Sequence, residues 1–511
     1  MGNRVVRLAR VAGLLSWLLV VAVPASAQQT SNEQLVTLRL MTFNIWLGGD
    51  QVNFGKVIET IKAADADIVC LQEPNGNTAR IAAALGWPYA TPAHHIISRV
   101  PLFAPSGAAA GADGNDLNTV FAEVEPGRFV AVTDVHLPSD PYGPYMLRDK
   151  KSVAEVLDNE KTLRLAAIEP YIAPLTALAK AGTPVLLAGD FNSPSPLDWT
   201  PASAARWPQA AAPIVWPAAK ALLDAGFTDT YRALHPDPAA KPGVTWTYGY
   251  PYPHIEANEA QDRIDFIMAA GPAKPVKSEI LGDPRMPDTD IAVSPWPSDH
   301  RAVVSTVEVV PGPAPAMVSI DRRSVTQGEV LTARFHAETG DGRLEGGRVV
   351  ILDAKAAQDA APLVSLASND GTDRASSVAF GTATLDPGAY VAALRDGDGK
   401  EIARSVPFWV VAGDHRLALA TDKPSYAPGE TVTVTWSNAP GNRFDWLGIY
   451  KKGEPADDNY QSFFYVNAAV AGSLAIDKAL LGDDLVPGEY EVRFELDDGY
   501  SRLAAAPFTV K

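Results

Sequence analysis

The sequence predicts a mixed α/β (α+β) domain followed by two modules built of β-strands. Between residues 35 and 310, apolar runs typical of strands alternate with helix-like stretches. Beyond a proline-rich segment the helical periodicity disappears, and short β-type runs separated by turns recur with an offset of 100 residues. The length of 511 residues agrees with this division, because such a chain exceeds one ordinary hydrophobic core.

The first 27 residues have the pattern of a cleavable secretory signal peptide. Three arginines precede an apolar run over residues 11–23, and the small residues Ala25, Ser26 and Ala27 follow. A membrane anchor is the alternative, but the apolar run is shorter than the ~20 residues that a spanning helix needs. We therefore expect cleavage after Ala27 and a secreted or periplasmic protein.

The chain is strongly acidic. It contains 60 Asp and Glu residues against 43 Lys and Arg residues, a formal net charge of −17 at pH 7. This charge repels the nucleic-acid backbone at long range, so we expect no tight nucleic-acid binding. Hydrolysis of a polyanion stays open, because a groove that holds metal ions can have the opposite local sign.

Strands of the first domain are predicted from apolar runs that end at polar residues. The segments are LVTLRLMTFN (35–44), DIVCLQE (67–73), FVAVTDVHL (129–137), PVLLAGDFN (184–192), RIDFIMA (263–269) and RAVVSTVEV (301–309). The contiguous apolar residues 185–188 predict a strand buried on both faces. Apolar residues at helical spacing predict a helix over residues 54–61. Residues 150–181 are also helix-forming, although Pro170 and Pro174 are expected to break or kink that helix.

A stiff linker separates the first domain, residues 28–310, from the rest of the chain. Proline and alanine replace the periodic pattern at residues 311–317, and β-sandwich modules are predicted at residues 318–412 and 413–511. The modules share a repeat, because the motif LDPGAY recurs 100 residues later as LVPGEY.

Chemically active side chains follow the ends of several predicted strands. They are Asn44, Glu73, His136, Asp190, Asn192, Asp265, Asp299 and His300. Taken singly, each is explained as a turn residue, a partner of a surface cation or a hydrogen-bonded core histidine. Ordinary strand ends do not repeatedly present oxygen ligands and imidazoles together, so the whole set predicts a site that binds a hard cation and moves protons.

The motifs that carry these residues resemble the endonuclease/exonuclease/phosphatase superfamily. TFNIW, LQE, VHL, GDFN, RIDF and SDH occur in the family's order within residues 35–310. The resemblance implies a four-layer α/β sandwich of the deoxyribonuclease type with two packed, mostly antiparallel sheets. It also implies hydrolysis of a phosphodiester or phosphomonoester by in-line attack of water. It leaves the substrate open, because members share the catalytic centre and differ in their loops.

The resemblance implies a metal site at the first two motifs. Asn44 and Glu73 are expected to hold Mg²⁺ or Mn²⁺, which prefer carboxylate, amide and water oxygens, and Asp299 is expected to assist the metal or the geometry of the site. Apurinic endonucleases have a carboxylate two residues after this asparagine, whereas this chain has Trp46 there. That departure weakens the comparison with DNA-repair enzymes.

The remaining motif residues have implied roles in catalysis. Asp190 is expected to orient and deprotonate the attacking water, and Asn192 to fix that water and the phosphate oxygens. His300, held by Asp265, is expected to stabilise the charged transition state. His136 is expected to protonate or stabilise the leaving oxygen.

Aromatic residues flank two of the motifs and part of the C-terminal region. Tyr142, Tyr145 and Trp199 are predicted at the rim of the site, where they can stack on a base, a sugar or a lipid headgroup; ordinary packing is the alternative for each. Residues 441–466 are similar to the immunoglobulin-like SKICH module of some phosphoinositide phosphatases. The modules are expected to contact a membrane surface, a polymer or a protein, or to act as spacers.

These observations predict an exported, divalent-metal-dependent phosphoesterase. A nonspecific extracellular nuclease is the alternative enzyme, and a non-catalytic binding protein on the same fold would have lost catalytic positions that this chain retains. Because every motif precedes the linker, residues 28–310 are expected to hydrolyse a small soluble phosphodiester without the modules. The alternative is that a module packs onto the site and contributes substrate contacts.

Overall fold

Two β-sheets and the helices packed on them make up the region that ends at residue 309. The computed structural model describes residues 34–104, 118–206, 213–247, 255, 258–337, 346–367, 376–413, 416–456, 459–481 and 484–511. The predicted signal peptide lies outside these residues. Residues 35–511 pack as one unit. Within the described ranges, no helix is long and apolar enough to cross a membrane.

The strands of this region follow the predicted segments. In chain order they are β1 Val36–Asn44, β2 Ile68–Gln72, β3 Tyr89–Thr91, β4 Ile96–Ser98, β5 Leu102–Phe103, β6 Thr119–Glu125, β7 Arg128–His136, β8 Val185–Asp190, β9 Thr228–Asp229, β10 Asp265–Ala270, β11 Ala273–Gly282, β12 Ile291–Ala292 and β13 Ala302–Val309. Each of the six predicted segments overlaps one of them, so these six strand predictions are confirmed.

The helices lie between the strands. They are α1 Phe54–Ala64, α2 Thr78–Leu85, α3 Gly143–Arg148, α4 Val153–Glu160, α5 Ala166–Lys180, α6 Pro217–Asp224 and α7 Thr230–Leu234. A π-helical turn, Lys161–Leu165, joins α4 to α5. Helix α5 continues through Pro170 and Pro174, so the expected break is absent from it. The carbonyls that these prolines leave unpaired belong to Ala166 and Pro170, which are both exposed, so water can satisfy them.

The strands form two sheets of mixed direction. Within the described residues, the first sheet has the order β12-β11-β13-β1-β2-β4-β3 and the second has the order β5-β6-β7-β8-β10-β9. Strands β1 and β2 are parallel, as are β7 and β8, whereas the pairs β1 with β13 and β8 with β10 are antiparallel. The predicted fold of mixed α/β sheets is therefore confirmed.

Strand β8 is buried on both faces, as its contiguous apolar run predicts. Leu186 and Ala188 belong to a hydrophobic cluster that also contains side chains of the first sheet. Val185 and Leu187 point the other way and pack in a cluster with residues of α5 and α6. Because both faces are covered, the end of β8 is rigidly held, and Asp190 is the last residue of this strand.

The register of the second sheet brings three predicted site residues side by side. Asp190 is opposite His136 on the parallel strand β7 and opposite Asp265 on the antiparallel strand β10. Gly189 precedes Asp190 with φ +150°, and a Cβ added there would lie 1.9 Å from the carbonyl oxygen of Val135. Only glycine allows β7 and β8 to approach this closely beside the site.

We predict that Gly189→Ala lowers the free energy of unfolding by more than about 1 kcal/mol, because the methyl group must displace backbone at an unfavourable φ. Urea unfolding followed by tryptophan fluorescence measures the change. Gly381→Ala is the matched control, since a Cβ at Gly381 meets nothing within 4 Å. Equal unfolding curves for the two variants would contradict this account of β8.

The region after the linker is rich in strands. They are β14 Met317–Ile320, β15 Ser324–Thr326, β16 Val330–His336, β17 Arg348–Asp353, β18 Val364–Ala367, β19 Ser377–Gly381, β20 Gly388–Arg395, β21 Glu401–Arg404, β22 Phe408–Val411, β23 Ala418–Thr421, β24 Ser425–Tyr426, β25 Val432–Ser437, β26 Trp446–Lys451, β27 Ser462–Tyr465, β28 Gly472–Ile476, β29 Gly488–Leu496 and β30 Ser501–Val510. A short helix, α8 Lys478–Leu481, precedes β29.

The predicted sequence repeat corresponds to a repeat in sheet topology. In the described residues, the sheets β14-β16-β19 and β15-β22-β20-β17-β18 recur as β23-β25-β28 and β24-β30-β29-β26-β27. Each copy of the PGxY motif places a tyrosine at the third position of an equivalent strand, β20 or β29. The Tyr390 hydroxyl donates to the Asp386 carbonyl at 2.7 Å, and the Tyr490 hydroxyl donates to the Val486 carbonyl at 2.8 Å. The boundaries assigned to the modules stay predictions.

Candidate active site

A cleft of about 690 Å³ lies where the ends of β2, β7 and β8 meet loops of the C-terminal region. Glu73, His136, Asp190, Asn192, Asp299 and His300 line it. These residues come from four separate segments of the sequence, and Asn44 and Asp265 lie directly behind them through hydrogen bonds. The structure therefore brings together the eight residues that the sequence singled out at strand ends.

Asp190 is the centre of this arrangement, and its side chain is buried. Its Oδ1 accepts a hydrogen bond from the Asn192 backbone N–H at 2.8 Å, and its Oδ2 accepts one from Asn44 Nδ2 at 3.1 Å. The same Oδ2 lies 3.8 Å from His136 Nε2 and 3.6 Å from His300 Nε2. The carboxylate thus has an imidazole on each side.

Each imidazole is held from behind by a second carboxylate. His300 Nδ1 contacts Asp265 Oδ2 at 3.0 Å, and the His300 ring lies 4.8 Å from the ring of Trp246. His136 Nδ1 forms a hydrogen bond with the carboxylate of Asp498, which belongs to the C-terminal region. In both pairs Nδ1 faces its carboxylate and Nε2 faces Asp190, so the two rings have equivalent orientations.

The carboxylates around the histidines keep both rings protonated. Burial lowers the pKa of His136, but Asp498, Asp190 and Glu73 outweigh it and raise that pKa to about 10. Burial also lowers the pKa of His300, but the surrounding carboxylates, with Asp265 as the largest contributor, outweigh burial and raise that pKa to about 10. The site therefore presents two imidazolium cations to the cleft at neutral pH.

Burial has the opposite effect on Asp190. Burial raises the pKa of this carboxyl, His300 and His136 lower it, and the nearby charge of Asp265 raises it further. The net shift is upward from the ordinary value of an aspartate. A carboxylate with such a raised pKa is a better proton acceptor than an exposed one, which suits a general base.

Glu73 and Asn44 form the other half of the site, at the ends of two parallel strands of the first sheet. Glu73 Oε1 accepts a hydrogen bond from Asn44 Nδ2 at 3.0 Å, and its Oε2 accepts one from the Leu47 backbone N–H at 3.0 Å. Asn44 Oδ1 accepts from the Trp46 backbone N–H at 3.0 Å. Asn44 therefore ties the carboxylates of Glu73 and Asp190 together through its amide nitrogen, and its oxygen faces away from them.

Two groups of side chains in the site are candidates for binding a divalent cation. Ligand atoms of Asp190, Asp265 and His300 lie within 4.8 Å of one another, and Asp265 Oδ1 is buried without a hydrogen-bond partner among the described residues. The second group contains Glu73 and Asp299. Burial raises the pKa of Asp299, His300 opposes this rise, and Glu73 adds to it. Carboxylates that repel each other in this way are stabilised by a bound cation.

Of the three aromatic residues that were predicted at the rim, two line the cleft and the third is buried in the core. Tyr142 and Tyr145 line the cleft, and their rings are 4.9 Å apart. Trp199 is only 2% exposed, donates a hydrogen bond from Nε1 to Asp262 at 2.9 Å and packs on Trp216. The prediction that Trp199 lies at the rim is therefore wrong, because its indole is buried in a hydrophobic cluster that includes Trp216.

The C-terminal region forms one wall of the cleft. Phe444, Phe463, Tyr465 and Asp498 are among the residues that line it. A module therefore packs onto the site, as the alternative interpretation of the sequence has it. The expectation that residues 28–310 hydrolyse a small soluble phosphodiester without the modules stays a prediction. Asp498 lies in the sequence DDG between two strands, which predicts a turn but gives no sign of what the turn contacts.

Comparison with known proteins gives the family. A sequence model of the Endonuclease/Exonuclease/phosphatase family matches residues 41–300, which are 260 of the 511 residues. The chain belongs to this family. Members of the endonuclease/exonuclease/phosphatase family are mostly hydrolytic nucleases or phosphatases, and the matched residues include all eight polar residues of the predicted set.

The comparisons also found individual proteins and solved structures to which the chain is similar. A Caenorhabditis elegans protein named "Uncharacterized protein F14F9.5" is 30% identical over 298 residues, which are 52% of this chain and 90% of that protein. An endonuclease/exonuclease/phosphatase from Beutenbergia cavernae is 19% identical over 73% of this chain and 100% of its own, with a TM-score of 0.33. A Neisseria 3' phosphatase, NExo, bound to product DNA hairpin is 20% identical over 52% of this chain and 98% of its own, with a TM-score of 0.34.

A buried cluster of ion pairs holds the segment that leads into Asp265 of the site. Arg263 contacts Asp229 at 2.6 Å and Asp198 at 2.9 Å, and Arg232 contacts Asp198 at 2.7 Å. All four side chains are at most 5% exposed. Because Arg263 lies two residues before Asp265, the cluster fixes the start of β10.

We predict that Asp198→Ala destabilises the protein by roughly 3–5 kcal/mol, because it leaves two buried guanidinium groups without a shared partner. Thermal unfolding measures the loss. Asp224→Ala is the control, since Asp224 forms an exposed pair with Lys220 and its removal is expected to cost no more than about 1 kcal/mol. Similar melting temperatures for both variants would show that the cluster does not stabilise this region.

Proposed function

We propose that this protein is an exported, divalent-metal-dependent phosphoesterase that hydrolyses a phosphodiester or phosphomonoester by in-line attack of water. One observation carries the proposal: a buried carboxylate, Asp190, lies between two imidazolium groups that are each held by another carboxylate. This arrangement supplies a base for water and positive charge for phosphate oxygens within one cleft. The predicted signal peptide supports export.

Asp190 is proposed as the general base. Its raised pKa makes it a proton acceptor near neutral pH, and Asn192 and Asn44 fix both of its oxygens. A water molecule on the cleft side of Asp190 would lie within reach of the carboxylate and of both Nε2 atoms. Asn192 is also tied to the Leu137 carbonyl through its Nδ2 at 3.0 Å, so the base and its neighbour keep a fixed geometry.

The two histidines are proposed to act on the phosphate group. His300 is buried and held by Asp265, so its charged Nε2 is suited to stabilise the phosphoryl oxygens as negative charge develops. His136 is more open to the cleft, and its protonated Nε2 is suited to donate a proton to the leaving oxygen. The protonated state that both roles require follows from the surrounding carboxylates.

A divalent cation, Mg²⁺ or Mn²⁺, is proposed at Glu73 and Asp299, with Asn44 as a further ligand. When bound there, the cation would polarise the phosphoryl group as a Lewis acid. To offer an oxygen, Asn44 would turn its carboxamide over and release its present hydrogen bonds to Glu73 and Asp190. Asp190 would then still be held by the Asn192 backbone N–H. The group of Asp190, Asp265 and His300 is the less suitable position, since its short distances are explained by the bond between His300 and Asp265.

The charge of the protein favours a small ester as substrate. A net charge of −17 disfavours a long polyanion, and the residues that line the cleft include the aromatic side chains Tyr142, Tyr145, Phe463 and Tyr465. Such a cleft suits an ester with an apolar or planar substituent. The acidic surface makes the nonspecific nuclease the weaker hypothesis.

Two finer predictions on architecture are also part of the proposal. We propose a four-layer sandwich for the catalytic region, supported by the clusters on both faces of β8. We further propose two β-sandwich modules after the linker, the second of the SKICH type, supported by the repeated sheet order. Each pair of sheets in this region encloses its own hydrophobic cluster.

Removal of divalent metal tests the cofactor. We predict that EDTA abolishes hydrolysis of a soluble phosphodiester and that Mg²⁺ or Mn²⁺ restores it, since the cation neutralises charge in the transition state. Glu73→Gln removes one ligand charge and is expected to raise the metal concentration needed for half-maximal activity. Glu59→Gln, which alters an exposed pair with Lys56, is the control. Full activity after thorough chelation would exclude the metal mechanism.

Substitution of the central groups tests the chemistry. Asp190→Asn and His300→Asn are each expected to lower kcat by roughly 10²–10⁴-fold, the usual contribution of general acid–base groups. Asp190→Asn preserves the side-chain volume, and His300→Asn keeps a polar side chain of reduced size, so the melting temperature is expected to change little. Asp224→Asn on an exposed helix serves as the control. Unfolding of these variants without a specific loss of kcat would assign the residues a structural role instead.

A further inference from the structure

The hydrogen bond between His136 and Asp498 joins two distant parts of the chain. The residues are 362 positions apart, and their side chains are only 15% and 12% exposed. Asp498 lies in the turn between β29 and β30, whereas His136 ends β7 beside Asp190. A catalytic-site histidine therefore takes its carboxylate partner from the C-terminal region.

The two histidine–carboxylate pairs have the same relation to Asp190. His300 and Asp265 both come from the catalytic region, and His300 Nε2 lies 3.6 Å from Asp190. His136 has Asp498 in the place that Asp265 takes for His300, and its Nε2 lies 3.8 Å from Asp190. The geometry of the second pair therefore requires the C-terminal region in its present position.

The turn that carries Asp498 is fixed by its own module. The Asp498 backbone N–H donates to the Phe444 carbonyl at 2.9 Å, and Trp446 Nε1 donates to the Gly499 carbonyl at 3.0 Å. The Tyr465 hydroxyl donates to Asp498 Oδ1 at 2.6 Å, which leaves Oδ2 for His136. Asp498 has φ +61°, an uncommon conformation that aspartate tolerates better than most residues and that often occurs at functional sites.

The neighbouring residue docks the turn onto the catalytic region. Asp497 Oδ1 contacts His95 Nε2 at 2.5 Å, and Asp497 Oδ2 accepts a hydrogen bond from the Gly76 backbone N–H at 2.7 Å. Both side chains of the first contact are 1% exposed. The ring of Phe444 packs 4.7 Å from the ring of His95. Asp497 thus anchors the module, while Asp498 reaches into the site.

We propose that Asp498 is a positioning residue of the active site, and that docking of the C-terminal module completes the site. The Asp498 carboxylate accepts the Nδ1 hydrogen bond of His136 and so fixes the ring with Nε2–H facing the cleft. This inference rests on the proposed phosphoesterase function and deepens it. It predicts that the module acts in hydrolysis of every substrate, soluble ones included, and not only in attachment to a surface.

The test uses point variants of the full-length chain. Asp498→Asn is expected to lower kcat for a soluble phosphodiester by about 10–100-fold, a loss comparable to that for carboxylates that orient metal-binding histidines, with a smaller change in KM. Asp498→Glu, which keeps the charge, is expected to recover part of the loss. Tyr465→Phe removes a hydrogen bond to the same carboxylate and is expected to cause a smaller loss. Asp484→Asn, at an exposed pair with Lys478, is the matched control.

A second readout follows the histidine itself. In protein labelled with ¹⁵N-histidine, the Nδ1 and Nε2 signals of His136 are identified by their disappearance in His136→Ala. They are expected to shift in Asp498→Asn and to remain in place in Asp484→Asn. Melting temperatures of the variants show whether the fold is retained, and the NMR signals of His300 report whether the rest of the site is intact.

The outcomes separate this inference from the proposed function. Unchanged kcat in Asp498→Asn, or a loss of kcat with unchanged His136 signals, would overturn the positioning role. If the wild-type protein hydrolyses no phosphate ester, the proposed function fails, while the His136 signals still decide whether Asp498 orients that ring. A selective loss of kcat with shifted His136 signals supports the inference.

Discussion

The burial of the Asp190 carboxylate is the constraint on which the rest of the site depends. A carboxylate taken out of water is strongly destabilised unless nearby groups compensate its charge. Here two imidazolium groups lie 3.8 and 3.6 Å from the same oxygen, and both need carboxylates of their own because burial alone would deprotonate them. Burial of Asp190 therefore requires the two imidazolium groups, and these in turn require the carboxylates of Asp265 and Asp498. The alternating charges form a connected network that the fold must hold in place.

The sheet register satisfies most of this requirement. Neighbouring strands place His136, Asp190 and Asp265 in one row, and the close approach at Gly189 keeps that row tight. The first sheet adds Asn44 and Glu73 at the ends of adjacent parallel strands. One partner does not come from either sheet: Asp498 reaches His136 from a turn of the C-terminal region. In this account catalysis is coupled to the docking of that region, because the same turn carries Asp498, which holds His136, and Asp497, which contacts His95.

The sequence could predict those features that depend on residues close together in the chain. The apolar run at residues 185–188 predicted a doubly buried strand, and polar residues at strand ends predicted the set that the cleft brings together. Trp199 was misplaced because it lies beyond the strand, where no periodicity tells whether an aromatic side chain points inward. The turn at Asp498 could be predicted as a turn, but its contact with His136 depends on packing between segments 362 residues apart, which no local pattern encodes. Likewise, Pro170 and Pro174 predicted a break in the helix. The helix continues because the carbonyls that they leave unpaired, at Ala166 and Pro170, are exposed to solvent, and this exposure is known only once the helix is packed.

The most direct measurement of the central claim is anomalous diffraction from a crystal of the full-length protein soaked in Mn²⁺. The claim is that the network around Asp190 forms one half of a phosphoesterase site whose other half binds a divalent cation. It predicts an anomalous peak inside the cleft in contact with the Glu73 carboxylate, with the Asn44 side-chain oxygen turned toward the ion. Peaks confined to surface carboxylates, with none in the cleft, would contradict it.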